Sequence, residues 1–121
     1  MTRHFLDTDD LSPAELYQVI ETAERNHVAG IIATNTTLDH AAIPPDRDQT
    51  GGLSGRPLRA KATEFVRAIT ARSRLPVIAS GGILDADSAR EKIEAGAALV
   101  QVYTGYVYRG PGLLREIVDA L

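Results

Sequence analysis

The sequence predicts an α/β fold in which parallel strands alternate with helices. Three runs of mainly apolar residues, over 29–34, 76–79 and 98–102, are predicted strands, and the first is apolar on both faces, as expected of a strand that helices cover on both sides. A helical pattern precedes the first run, and another follows each run. The order is therefore α-β-α-β-α-β-α, and strands that alternate with helices pair in parallel through right-handed crossovers.

Local signals predict where the helices begin and end. Ser12 and Glu15 have the spacing of a capping box at the start of the first helix. Asp85 is a suitable cap for a helix over 86–95, and Gly96 supplies the left-handed residue beyond its end. Pro111 is suited to open the last helix.

Composition excludes several classes of function. The formal net charge of −3 indicates neither a nucleic acid nor an anionic membrane as a partner. The absence of cysteine rules out disulfides, thiolate catalysis and zinc–thiolate sites. His4, His27 and His40 are far apart in the sequence, so we expect no metal site. Without a membrane-spanning run or a signal-peptide core, we expect this chain to be cytoplasmic.

Two of the predicted strands end abruptly in glycine-containing loops, at 80–82 and 103–105. The backbone N–H groups of Gly82, Tyr103 and Thr104, with the Thr104 hydroxyl, are suited to bind phosphate oxygens. In (β/α)₈ barrels the phosphate site commonly lies in the loops after strands 7 and 8. Tight strand–helix turns without a ligand are the alternative, and we favour phosphate. The residues alone thus predict a phosphate-binding portion of a barrel.

Two further segments are candidates for ligand binding. Asn35 and Thr36 follow the first strand at its carboxyl end, where such folds bind ligands, and their side chains suit a polar, planar substrate. Position alone equally allows turn residues that close the strand. A long loop from 38 to 57 contains Gly51–Gly55, which either permits close approach to a ligand or is a flexible tip.

Four segments together resemble the C-terminal part of class 2 dihydroorotate dehydrogenase, the quinone-linked branch of that family. They are Ile31–Leu38, Gln49–Leu58, Pro76–Ile83 and Ala97–Pro111. The resemblance extends from about residue 11 to residue 121. It implies an α/β fold that comprises the last three βα units of a (β/α)₈ barrel, preceded by one helix. A whole barrel of this type needs about 250 residues, and this chain has 121.

The resemblance also implies a chemistry. Enzymes of this family oxidise dihydroorotate to orotate with FMN in pyrimidine biosynthesis, and a quinone then reoxidises the flavin. By resemblance, the residues that contact FMN are Thr34, Gly55, Gly82, Tyr103 and Thr104. Asn35 and Thr36 would contact the substrate. The parent enzymes are peripheral to the inner face of the cell membrane.

The resemblance leaves this chain without a catalytic residue of its own. The family's serine base and its flavin-binding asparagines lie upstream of the matching segments. A flavin-contacting lysine is expected in a Lys-x-x-Pro-Asp pattern, but Leu6 and Asp9 occupy the lysine and proline positions before Asp10. We therefore expect residues 1–11 to be unrelated to the family or poorly ordered, and the isolated chain to be inactive.

Two other hypotheses remain beside this one. The chain is alternatively a non-catalytic flavin- or phosphate-binding fragment or gene remnant, with open sheet edges that promote self-association. A different phosphate-handling barrel enzyme is the third possibility, against which the segments 34–37 and 51–55 argue.

Overall fold

The computed structural model describes residues 11–121 of the chain. The predictions for residues 1–10, including the altered lysine pattern, lie outside the described residues. Within the described part, helices and strands alternate as predicted until the last strand. The elements are α1 (Pro13–Arg25), β1 (Ile31–Ala33), α2 (Arg59–Thr70), β2 (Val77–Ser80), α3 (Ala86–Glu94), β3 (Leu99–Gln101), α4 (Thr104–Arg109) and α5 (Pro111–Ala120). A single 3₁₀ turn, Arg56–Leu58, leads into α2.

The three strands form one parallel sheet in the order β1-β2-β3. Ala79 in the central strand is aligned with Ala33 on one side and Val100 on the other. All three carboxyl ends therefore lie at the same edge of the sheet. The predicted parallel α/β architecture is confirmed.

Both predicted helix caps are present. The Ser12 N–H donates to the Glu15 carboxylate at 2.8 Å, which completes the capping box of α1. At α3 the Ser88 N–H donates to Asp85 Oδ1 at 2.8 Å, and Ser88 Oγ accepts from the Asp85 N–H at 3.1 Å. Gly96 has a φ of +102°, the left-handed conformation expected beyond the end of α3.

The apolar core covers one face of the sheet. Helix α2 packs on β1 and β2, and α3 packs on β3. Val66, Ile69 and Val77 are buried at the centre of this core. The sequence predicted that helices cover both faces of the sheet. The opposite face is instead open, because Ile32 is 61% exposed and Leu99 is 60% exposed. Within residues 11–121, no second layer of helices lies against these side chains.

The region after β3 also corrects the sequence prediction. The sequence predicted a helix from Pro111 and none before it, but α4 occupies 104–109, too short a span to show helical periodicity. Tyr103, Tyr106 and Tyr108 are all exposed, so these aromatic side chains do not form the packing surface of this segment. The buried residue of α4 is Gly105, and a Cβ there would lie 2.9 Å from Leu113 Cδ2. A glycine rather than a tyrosine therefore makes the helix contact.

None of the helices within residues 11–121 has the length and apolar character needed to cross a membrane.

Candidate functional site

A cavity of about 210 Å³ lies at the edge of the sheet where the three strands end. It brings together every residue for which the sequence predicted a ligand contact. These are Thr34, Asn35, Thr36, Gly55, Gly82, Tyr103 and Thr104. The residues are up to 70 positions apart in the sequence, and the parallel register of the sheet places them side by side. Their individual ligands remain predictions.

The loop after β2 is pressed against the first turn of α2. Gly82 has a φ of +70°, and a Cβ at this position would lie 2.5 Å from Arg59 N. Gly81 has a φ of +112°, and its Cβ would lie 3.0 Å from Ala62 Cβ. A side chain at Gly82 would therefore displace backbone. Among residues 11–121, no acceptor takes a hydrogen bond from the Gly82 N–H, which leaves this donor available at the cavity.

The loop after β3 supplies the second group of donors. Thr104 is the first residue of α4, so its N–H has no acceptor within that helix. Its hydroxyl lies 2.8 Å from Ser54 Oγ. A Cβ on Gly55 would lie 3.1 Å from Thr104 Cγ2, so Gly55 also packs closely on this threonine. The glycine-rich segment of the long loop is therefore brought directly onto the loop after β3.

The segment after β1 forms the third wall of the cavity. The Thr34 N–H, which follows a cis peptide bond, donates to Ser80 O at 2.8 Å. Asn35 Oδ1 accepts from the Thr36 N–H at 2.9 Å, so the asparagine side chain also shapes its own turn. A Cβ on Gly52 would collide with Thr36 Oγ1. Asn35 therefore both stabilises the turn after β1 and lines the cavity.

Sequence reasoning missed several residues of the cavity. Ser54 lies in the Gly51–Gly55 segment, but no contact of its own was predicted for it; its hydroxyl pairs with that of Thr104 across 50 positions. Gln101 also lines the cavity and is aligned with Ser80 of the predicted loop at 80–82. The available signal was a polar side chain inside an otherwise apolar run. Within residues 11–121, no group of three or more potential metal-binding side chains comes together.

A histidine fixes the long loop that carries the glycines. His40 Nε2 lies 2.7 Å from Gly51 O, and His40 Nδ1 lies 2.5 Å from Asp48 Oδ1. Because a carbonyl and a carboxylate both accept, the two ring nitrogens both donate, which requires the charged imidazolium. The hydrogen bond with Asp48, followed by that with Gly51, raises the pKa of His40. Mutual backbone hydrogen bonds between Thr37 and Leu53 close the base of this loop.

The fold and the cavity together define an α/β chain whose ligand site is built from glycine loops at the carboxyl ends of parallel strands. The family model for dihydroorotate dehydrogenase matches residues 8–121, and the chain belongs to this family.

Relatives of known name agree with this assignment. Over 113 residues the chain is 51% identical to dihydroorotate dehydrogenase (quinone) of Klebsiella pneumoniae and to the protein of the same name from Escherichia coli. Each alignment covers 90% of this chain and 34% of the relative. This chain therefore spans about a third of the length of the curated relatives it matches.

Solved structures show the same correspondence. Ligand-free dihydroorotate dehydrogenase from Eimeria tenella superposes with a TM-score of 0.84 and 38% identity, over 93% of this chain and 32% of that one. The structure of that enzyme in complex with ferulenol superposes with a TM-score of 0.83 and 37% identity, over 92% of this chain and 31% of that one. The predicted fold class, a portion of a dihydroorotate dehydrogenase barrel, is confirmed.

The Gly82 contact leads to a stability prediction. Gly82→Ala should lower the free energy of unfolding by about 1–3 kcal/mol, because the methyl group meets the Arg59 backbone at a positive φ. Urea unfolding measures this loss. Gly112→Ala is the matched control, because nothing lies within 4 Å of its added Cβ. Equal stabilities for the two variants would contradict the observed close contact.

The His40 contacts lead to a pH prediction. The pKa of His40 should lie above its ordinary value of about 6.5. Because the folded pKa is raised, the stabilising contribution is complete below about pH 6.5 and is lost as pH rises through the folded pKa. An NMR titration should show that Asp48→Asn lowers the His40 pKa, whereas Asp46→Asn leaves it unchanged. A wild-type His40 pKa at or below 6.5 would contradict the charged imidazolium that donates to both Asp48 and Gly51.

Proposed function

We propose that this chain forms the FMN- and substrate-binding C-terminal part of a quinone-dependent dihydroorotate dehydrogenase. The observation that carries the proposal is the convergence of all seven predicted contact residues on one cavity at the carboxyl ends of the strands. Family membership supplies the reaction, which is oxidation of dihydroorotate to orotate. The cavity geometry supplies a reason for the position of each contact.

The loops after β2 and β3 fit the phosphate of FMN. Gly82, Tyr103 and Thr104 all line the cavity, and their backbone N–H groups would donate to the oxygens of a phosphate. Position 82 has no room for a side chain, so only backbone atoms of this residue could contact a ligand. Thr34 and Gly55 line the same cavity and would contact the rest of the cofactor. When bound, FMN supplies the redox chemistry.

Asn35 and Thr36 would hold the polar edge of dihydroorotate or orotate. A carboxamide and a hydroxyl provide both donors and acceptors, which matches the alternating N–H and C=O groups of such a ring. Thr36 is constrained by its contact with Gly52, so its hydroxyl is held in one place. These two residues orient the substrate; neither is assigned as the base that removes a proton.

The 121-residue chain by itself should not turn over dihydroorotate. None of the contacts described at the cavity provides a general base, and the family's serine base belongs to an upstream portion. Loss of a positioned base alone costs a factor of about 10² to 10⁴. Dihydroorotate and a quinone are therefore proposed as partners of the whole barrel, at the inner face of the membrane, while this chain alone would be cytoplasmic.

A second candidate function follows from the uncovered face of the sheet. Exposed Ile32 and Leu99 lie on β1 and β3, which are also the edge strands. This arrangement is compatible with a non-catalytic flavin- or phosphate-binding fragment that associates with itself or with other barrel segments. Flavin binding is common to both candidates, and turnover distinguishes them.

Flavin titration tests the cofactor assignment. FMN should bind more tightly than riboflavin, which lacks the phosphate, as measured by quenching of flavin fluorescence. Thr104→Val should weaken FMN binding by about tenfold, because a hydrogen bond to a charged group is lost, and leave riboflavin unaffected. Thr22→Val is the control, because its hydroxyl bonds only Gln18 O on α1. Equal affinities for FMN and riboflavin in wild type would refute the phosphate site.

The same sample tests turnover. Anaerobic addition of dihydroorotate should not bleach the flavin absorbance, and bleaching would show that the chain rebuilds a working site.

Light scattering tests the sheet surface. Wild-type chain should form dimers or larger species as concentration rises, because within residues 11–121 both edge strands of the sheet are unpaired on one side and one face is apolar and exposed. Leu99→Lys should shift the population towards monomer, whereas Val19→Lys on α1 should not, since Val19 lies on a helix outside the sheet. A wild-type chain that stays monomeric at high concentration would refute self-association through the sheet.

A further inference from the structure

A lysine is buried against the first turn of α2, the turn on which the glycine loop packs. Lys92 on α3 has 0% of its surface exposed. Its Nζ donates to Arg59 O at 2.8 Å and to Thr63 Oγ1 at 2.5 Å, both on α2. Among the carboxylates of residues 11–121, none forms a salt bridge with it. A buried ammonium group is costly, and an apolar side chain would pack these two helices at lower cost.

The residue that Lys92 holds is the one that supports Gly82. Arg59 contributes the backbone against which Gly82 is pressed. Its carbonyl accepts from Lys92 Nζ, and its guanidinium forms two hydrogen bonds with the Glu91 carboxylate, at 2.9 and 2.5 Å. Two consecutive residues of α3 therefore fix Arg59 at its backbone and at its side chain. This attachment holds the backbone against which Gly82 packs.

We propose that Lys92 is a positioning residue for the phosphate site, which holds the first turn of α2 against Gly82 and whose buried charge favours an anion on that loop. This inference rests on the proposed function, because it concerns the same phosphate. It adds a residue that lies outside the cavity and acts through Arg59.

The charge on Lys92 is sensitive to its surroundings. Burial lowers the pKa of Lys92 to about 8; Arg59 and Arg67 on α2 lower it further, and neighbouring Glu91 opposes them. An anion on the Gly82 loop would favour the charged form and raise this pKa. By linkage, the charged form must then favour the anion equally. The contribution of the phosphate to binding should therefore fall as pH rises through about 8.

The test compares FMN with riboflavin at pH 7 and pH 9.5. The ratio of the riboflavin Kd to the FMN Kd isolates the phosphate contribution, because both ligands share the same ring system. In wild type we expect this ratio to fall by about fivefold between the two pH values. In Lys92→Met it should be lower at pH 7 and independent of pH. Arg90→Met is the matched control, since it removes an exposed cation from the same helix.

The outcomes separate this inference from the proposed function. A wild-type ratio of one overturns the phosphate site and the role of Lys92 with it. A ratio above one that is the same in wild type and Lys92→Met overturns only the role of Lys92. A lower ratio in Lys92→Met with a flat wild-type pH profile would show a purely structural residue and also overturn the inference. An equal fall of this ratio in Arg90→Met would indicate a general effect of removing a positive charge and would also overturn the inference.

A second measurement covers the case in which Lys92→Met does not fold. In wild type, the ¹³Cε resonance of Lys92 reports its ionisation directly. Saturating FMN should raise the Lys92 pKa, and riboflavin should leave it unchanged. A Lys92 pKa that is the same with both ligands, in a chain that prefers FMN, would refute the coupling.

Discussion

The contact between the glycine loop after β2 and the first turn of α2 is the constraint on which the rest of the site depends. Gly82 can approach Arg59 only because it has no side chain, and its positive φ is a conformation that residues with a side chain rarely adopt. Arg59 in turn is held by Glu91 and Lys92 on the next helix. One close backbone contact thereby connects the cavity to helix packing. The position of the loop therefore depends both on its glycine and on the packing of α2 against α3.

Sequence reasoning predicted what local chemistry determines. The caps at Ser12 and Asp85 and the left-handed Gly96 depend on residues within a few positions of each other, and all three are present. The parallel order followed from the alternation of strands and helices. Asn35, Thr36, Gly82, Tyr103 and Thr104 were predicted because strand ends are recognisable in sequence and the parallel sheet gathers them at one edge. Thr34 and Gly55 were predicted from the family resemblance.

The features that were missed depend on contacts between distant positions. Helix α4 has too few residues for periodicity, and its packing through Gly105 reverses the usual expectation that aromatic side chains are buried. Ser54 meets Thr104 across 50 positions, and the burial of Lys92 depends on two helices together. Even the strands mislead in part, since Ile32 and Leu99 have the composition of buried residues and are exposed within the described chain.

The paired backbone hydrogen bonds between Thr37 and Leu53 have a consequence for how this family can diverge. They close the base of the long loop, so the residues that enter the cavity, Ser54 and Gly55, lie outside the closed segment. A doubling of the length of a closed loop costs only about 0.6 kcal/mol. Gly52 packs on Thr36, and His40 contacts Asp48 and Gly51, so the part of the segment that lies between His40 and Asp48 is where insertions and deletions should accumulate without moving the ligand contacts.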